Sequence, residues 1–150
     1  MNYKDYLKGR ALIARKYGKE REEIQSRIDK ARKQLDKGTI TKRDFDEKER
    51  IANRVLDEIA EREGRSIDRL KMHYAAQDAP AKVNDIIWAG TKCMKVERIK
   101  LAAFDYPMLK YYGTLLTNQG LPRKQNADGH IYQKDIKSVN GVAYVYKVKE

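Results

Sequence analysis

One cysteine, three prolines, two histidines, one tryptophan and two phenylalanines are spread over 150 residues, and each scarcity closes a route. Cys93 has no second cysteine to pair with, so an internal disulfide is excluded and a reducing cytoplasm is the expected compartment. No uninterrupted apolar run approaches the ~18 residues that cross a bilayer, and no membrane partner is expected. The opening stretch, Met1 to Leu7, lacks the apolar core of a secretory signal. His73, His130 and Cys93 show no metal-ligand spacing, no glycine-rich phosphate loop occurs, and Asp128-Gly129-His130 is not followed by a nuclease pattern. The sequence therefore predicts a protein that binds rather than catalyses, with no catalytic residue, no metal and no cofactor.

What is abundant is positive charge. Thirty-three Lys and Arg against twenty-two Asp and Glu give +11, a balance that attracts polyanions over long range. Residues 1–37 carry twelve basic and six acidic side chains, residues 38–70 eight and nine, and residues 71–150 thirteen and seven. The basic surface thus belongs to the first stretch and the C-terminal half. Between Lys4 and Lys19 the bases Lys4, Lys8, Arg10, Arg15, Lys16 and Lys19 meet one acid, Asp5.

Residues Leu35 to Phe45 stop one helical pattern and start another. Gly38 can adopt the left-handed conformation that closes a helix. Thr41 and Asp44 have capping-box spacing, and Ile40 and Phe45 have the spacing of a hydrophobic staple. Upstream, Asn2 and Asp5 also have capping-box spacing, after which Tyr6, Ile13, Tyr17, Ile24, Ile28, Ala31 and Leu35 recur at helical intervals. A helix from about Tyr3 to Lys37 would be ~50 Å long, with Gly18 as its weak point. Downstream, Phe45, Ala52, Val55, Leu56 and Ile59 predict a second helix over about Lys42 to Glu63 that closes at Gly64. The Leu35, Gly38, Ile40, Thr41, Phe45, Lys48 and Leu56 pattern is similar to the short C-terminal oligomerisation motif called SHOCT. That resemblance implies self-association through the hairpin.

Beyond residue 70 lie all three prolines, the tryptophan and nine of the thirteen aromatics, which is where a compact core is expected. Ser66 caps a short helix with Ile67, Leu70 and Tyr74, and a second run holds Val83, Ile86, Ile87 and Trp88 and ends at Gly90. Helical spacing also reads through Met94 to Ala103 and Met108 to Gln119, with an interruption at Phe104 to Pro107. Asn140-Gly141 is a two-residue hairpin signal between strands expected near His130 to Ser138 and Val142 to Lys149. The predicted fold is mainly α (α+β): a long N-terminal α-helical hairpin, residues 1–64, and a C-terminal helical core with a terminal β-hairpin, residues 65–150.

Ile99-Lys100-Leu101-Ala102-Ala103, Met108-Leu109-Lys110-Tyr111-Tyr112 with Leu115-Leu116, Gly120-Leu121 and the hairpin after Gly129 together resemble a winged-helix DNA-binding domain. The resemblance implies a reading helix over 107–119, with Lys110, Tyr111 and Asn118 as groove contacts and Arg123, Lys124, Lys134 and Lys137 on backbone phosphates. A separate idea comes from Tyr132, Tyr144 and Tyr146, because aromatics on an exposed sheet can stack on splayed bases while lysines hold the phosphates.

The expected function is that of a non-enzymatic regulator or accessory factor that binds DNA or RNA, or a protein–nucleic-acid complex. Two alternatives stand beside it. One is a phage or mobile-element inhibitor or adaptor that docks on a host nucleoprotein machine such as an RNA-guided nuclease; the other is a coiled-coil homo-oligomer.

Overall fold

In the computed structural model, residues 1–102, 104 and 106–148 are described. Two long helices, α1 (Tyr3–Asp36) and α2 (Lys42–Ala76), precede six strands: β1 (Ile86–Ala89), β2 (Lys92–Ala102), β3 (Met108–Leu116), β4 (Asp128–Tyr132), β5 (Ser138–Val139) and β6 (Val142–Ala143). The chain divides into two compact units, Leu7–Arg69 and Met1–Tyr6 with Leu70–Glu150.

The unit Leu7–Arg69 is the helical hairpin. Its joint closes as the local chemistry directs: Gly38 sits at φ +72°, the Thr39 amide donates to the Gln34 carbonyl (2.8 Å), and the Gly38 amide donates to that of Leu35 (3.0 Å). This pair of bonds is a Schellman closure. The capping box then opens α2, with the Asp44 amide donating to Thr41 Oγ1 (3.1 Å) and the Thr41 amide to Asp44 Oδ2 (3.3 Å). Between the helices Tyr17, Ile24, Ile28, Ala52 and Ile59 form a buried seam. Arg21 pairs with Glu63, and Arg62 with Glu20 at 2.7 Å, across the same seam. These partly exposed pairs fix register more than they stabilise, since such bridges contribute about 0–1 kcal/mol each.

Neither helix breaks at the glycine expected to weaken or end it. Gly18 lies inside α1 and Gly64 inside α2, both without positive φ. The ~1 kcal/mol that glycine costs against alanine is outweighed by the hydrogen-bonded turns on either side. The expected stop at Gly64 and the separate helix capped by Ser66 are therefore replaced by one helix that runs on to Ala76.

In the unit Met1–Tyr6 with Leu70–Glu150, the first turn of α1 and the last turns of α2 meet through tyrosines. The rings of Tyr3, Tyr6, Tyr74 and Tyr106 lie 4.6–6.2 Å apart, and the hydroxyls of Tyr74 and Tyr106 share a hydrogen bond. The expected helical core is not what forms here: apart from these helix ends and a 3₁₀ turn at Gln133–Asp135, the described residues of this unit build an antiparallel sheet of order β4-β3-β2-β1-β5-β6. Met94 to Ala102 belongs to β2, Met108 to Leu116 is β3, and Ile86 to Trp88 is β1, so the reading helix that the winged-helix resemblance implies is a strand. The physical reason is alternation. Val96, Ile99, Leu101, Leu109, Tyr111 and Leu115 face one side of the sheet with Ile87, Met94 and Ile131, and Ala75 from α2 packs among them.

The terminal hairpin is shorter than expected. The run near His130 to Ser138 is β4, a 3₁₀ turn at Gln133–Asp135, and β5. Asn140 (φ +49°) and Gly141 (φ +82°) form the two-residue turn to β6, which stops at Ala143; the far end of the expected strand, Lys149, lies outside the described residues. Tyr144 packs against the core, whereas Val142 and Val148 are exposed.

The sheet curls. Flat strands ~4.8 Å apart would place β4 and β5 ~19 Å from each other. The link between them contains the 3₁₀ turn, which rises only ~2 Å per residue and shortens its reach to ~16 Å. Gln133 is buried in that link, accepting from the Leu109 amide (3.0 Å), while the Lys137 amide donates to the Trp88 carbonyl (2.7 Å). The link thus stitches β3 to β1 beneath the curl.

Candidate nucleic-acid interface

Period-two alternation that buries Leu109, Tyr111 and Leu115 turns their neighbours Lys110, Tyr112 and Thr114 to the opposite, outer face. The register carries this across the sheet. Arg98 pairs with Tyr112 and Lys100 with Lys110 on β2–β3, and Tyr112 pairs with His130 and Lys110 with Tyr132 on β3–β4. A bulge between Val96 and Arg98 makes this possible, because it resets β2 by one residue so that Arg98 and Lys100 point outward.

The outer face holds a row of four rings. Tyr112 and His130 have centroids 6.0 Å apart, His130 and Tyr132 5.5 Å, and Tyr132 and Phe104 5.1 Å. Phe104 is 40% exposed, His130 is exposed, and the two tyrosines are half-buried. Cations surround the row. Arg98, Lys100 and Lys110 lie 5.5, 5.6 and 4.9 Å from the Tyr112 ring; Lys110 is also 5.1 Å from Tyr132, and Lys134 is 5.1 Å from Phe104. Among the described residues none of these four cations has a carboxylate within ion-pair distance; the pairs Arg21–Glu63, Arg32–Glu49 and Arg62–Glu20 all belong to the hairpin. The acid nearest in sequence on β2, Glu97, is held by the Thr114 hydroxyl.

The chemistry of the row follows from these contacts. Hydrogen bonding to the Tyr112 hydroxyl raises the Lys110 ammonium above its ordinary range, and the same bond lowers the Tyr112 phenol. At neutral pH Lys110 is charged. Exposed π faces ringed by uncompensated cations repel a cationic guest, so this is not a cage for a quaternary ammonium. A flat apolar guest tied to anions fits both halves of the surface.

The expected site residues divide. Lys110 and Lys134 stand in the row, as does Tyr132 from the stacking idea. Tyr111, expected as a groove contact, is fully buried in the sheet core and is removed from any surface role. Asn118 and Lys124 are exposed and Arg123 half-buried in the loop after β3, and Lys137 is exposed before β5; among the described residues the cations found over the four rings are Arg98, Lys100, Lys110 and Lys134 instead. Tyr144 packs on the core and Tyr146 is half-buried. On α1, Lys4, Lys8, Arg15, Lys16 and Lys19 are exposed and Arg10 is half-buried. Lys8, Arg15 and Lys19, at intervals of seven and four, share one helix face.

Arg98, Lys100, Phe104, Tyr112 and His130 are members that sequence reasoning missed. A signal existed: Arg98-Ile99-Lys100-Leu101 and Leu109-Lys110-Tyr111-Tyr112 alternate, or nearly so, at a strand period. No family model, curated protein or solved structure matches the chain. Among the described residues no group of three or more His, Cys, Asp or Glu is placed to hold a metal, and no helix is long and apolar enough to cross a membrane.

Proposed function

We propose that the chain binds single-stranded nucleic acid on the outer face of its sheet, stacking splayed bases on Tyr112, Tyr132 and Phe104 and holding phosphates with Arg98, Lys100, Lys110 and Lys134. The observation that carries this reading is the row of four rings at 5.1–6.0 Å with four cations and no carboxylate partner among the described residues. Stacking is indifferent to base identity, because every base offers a π face, so the binding is general rather than sequence-reading. A duplex keeps its bases stacked on one another and gains only the phosphate contacts.

Fluorescence anisotropy with a labelled oligothymidine and a matched duplex tests it. Four phosphate contacts give a slope of log K against log salt of about −2.8 for the single strand. Removing both tyrosine rings in Tyr112→Ala/Tyr132→Ala is expected to weaken single-strand binding by roughly a hundredfold, at ~1–3 kcal/mol per stacked base. Unchanged affinity in the double variant, or tighter binding to the duplex, refutes the stacking mode.

A further inference from the structure

The hairpin carries a second surface that the sheet does not explain. A groove of about 340 Å³ runs between α1 and α2, from Ile24 to Gln34 on one helix and Lys48 to Val55 on the other. Its floor is apolar, including Ile28, Ala31 and Val55, and Ile51 stands 50% exposed at its side. Its rim is basic: Arg27, Lys30 and Lys48 are all exposed, and none has an ion-pair partner among the described residues. Elsewhere on the hairpin Arg21, Arg32 and Arg62 are paired across the helices to Glu63, Glu49 and Glu20.

We infer that this groove receives an amphipathic helix with acidic flanks, supplied by another protein. Length sets the secondary structure of the guest. Ten residues of α1 rise ~15 Å, which accommodates about three helical turns whose anchors fall at i, i+3 or i+4, and i+7. Charge sets its flanks. A two-fold pairing of this groove with a second copy would bring Arg27, Lys30 and Lys48 against the same three cations, which like-charge repulsion opposes. A guest with glutamates on either side of its apolar stripe neutralises all three while covering Ile51, completing a three-helix bundle.

The test uses the full chain, isotopically labelled, and two peptides of about 16 residues that share leucines at the anchor spacing. One is flanked by glutamate and the other by lysine. The glutamate peptide is expected to shift the amides of residues 24–34 and 48–55 and to bind at least about tenfold tighter than the lysine peptide. Ile51→Glu, at a half-exposed position that leaves the seam intact, abolishes that binding. Lys30→Glu/Lys48→Glu inverts the preference toward the lysine peptide. The inference is overturned if the glutamate peptide gives no shift at about 1 mM, if the two peptides bind equally, if the shifts fall on other residues, or if sedimentation shows a dimer that Ile51→Glu dissociates.

Discussion

Adding a single methyl group at Gly113 has a cost set by the backbone of the neighbouring strand. A Cβ there would lie 1.8 Å from the Lys95 carbonyl oxygen and 2.8 Å from its carbon. Both are backbone atoms of the neighbouring strand, so no side chain can swing aside. The carbonyl would have to retreat by more than 1 Å to reach an ordinary contact, and Gly113 pairs with Val96 at the edge of the bulge that aims Arg98 outward. Losing two or three ladder bonds in a buried strand, at ~1–2 kcal/mol each, gives about 3–5 kcal/mol for Gly113→Ala. That is a large part of the ~5–15 kcal/mol by which domains are stable. Gly18→Ala and Gly64→Ala make the same chemical change where a Cβ meets nothing within 4 Å and φ is not positive, so each is expected to stabilise by about 0.5–1 kcal/mol. Urea unfolding separates the two cases, because Trp88, the only tryptophan, lies in β1 and its fluorescence reports the sheet, while far-ultraviolet circular dichroism is dominated by the helices. With an m value of ~2 kcal/mol/M, the fluorescence midpoint should fall by roughly 2 M in Gly113→Ala. Oligonucleotide affinity should fall with it, since Tyr112 and Thr114 flank the glycine. An unchanged fluorescence midpoint in Gly113→Ala, or a loss of stability in both helix variants, refutes the argument.

Three further outcomes are expected. Thr41→Ala removes the capping hydroxyl of α2 and should cost about 1 kcal/mol, read as a lower helical midpoint in urea. Tyr111→Phe should leave the sheet equally stable or up to about 1 kcal/mol more so, because the buried Tyr111 hydroxyl has no hydrogen-bond partner among the described residues and its geometry toward the Ala81 backbone falls short of one. Single-strand affinity should decline as pH rises toward about 10, beginning earlier than an ordinary tyrosine would allow. The cations hold the Tyr112 phenol low, and its phenolate would place an anion on the row. Tyr112→Phe should remove that alkaline step while keeping most of the binding, which anisotropy across pH would show.

The hairpin was legible because its signals are local. Gly38, Thr41 and Asp44 each act on backbone groups within five residues, and nothing distant competes with them. The stop misread at Gly64 shows the limit of such reasoning, since a glycine ends a helix only where the chain also needs φ above zero. The sheet was hidden for a different reason. At both ends of β3 the two faces are buried together, Met108 with Leu109 and Leu115 with Leu116, so its apolar residues fall at intervals of three and four as readily as at two. The bulge in β2 broke the alternation at Glu97 and completed the disguise. Lys110 and Lys134 were reached through the winged-helix resemblance, but the residues that give them meaning, Tyr112 and His130, come together only through cross-strand register.

The clustering of Arg98, Lys100 and Lys110 around a single ring has a thermodynamic corollary. The ring meets all three cations at once, so a single counter-anion arriving there is attracted by every one of them. Sulfate or inorganic phosphate should therefore raise the melting temperature above that in chloride at matched ionic strength, and Lys100→Gln should dull the response to either salt.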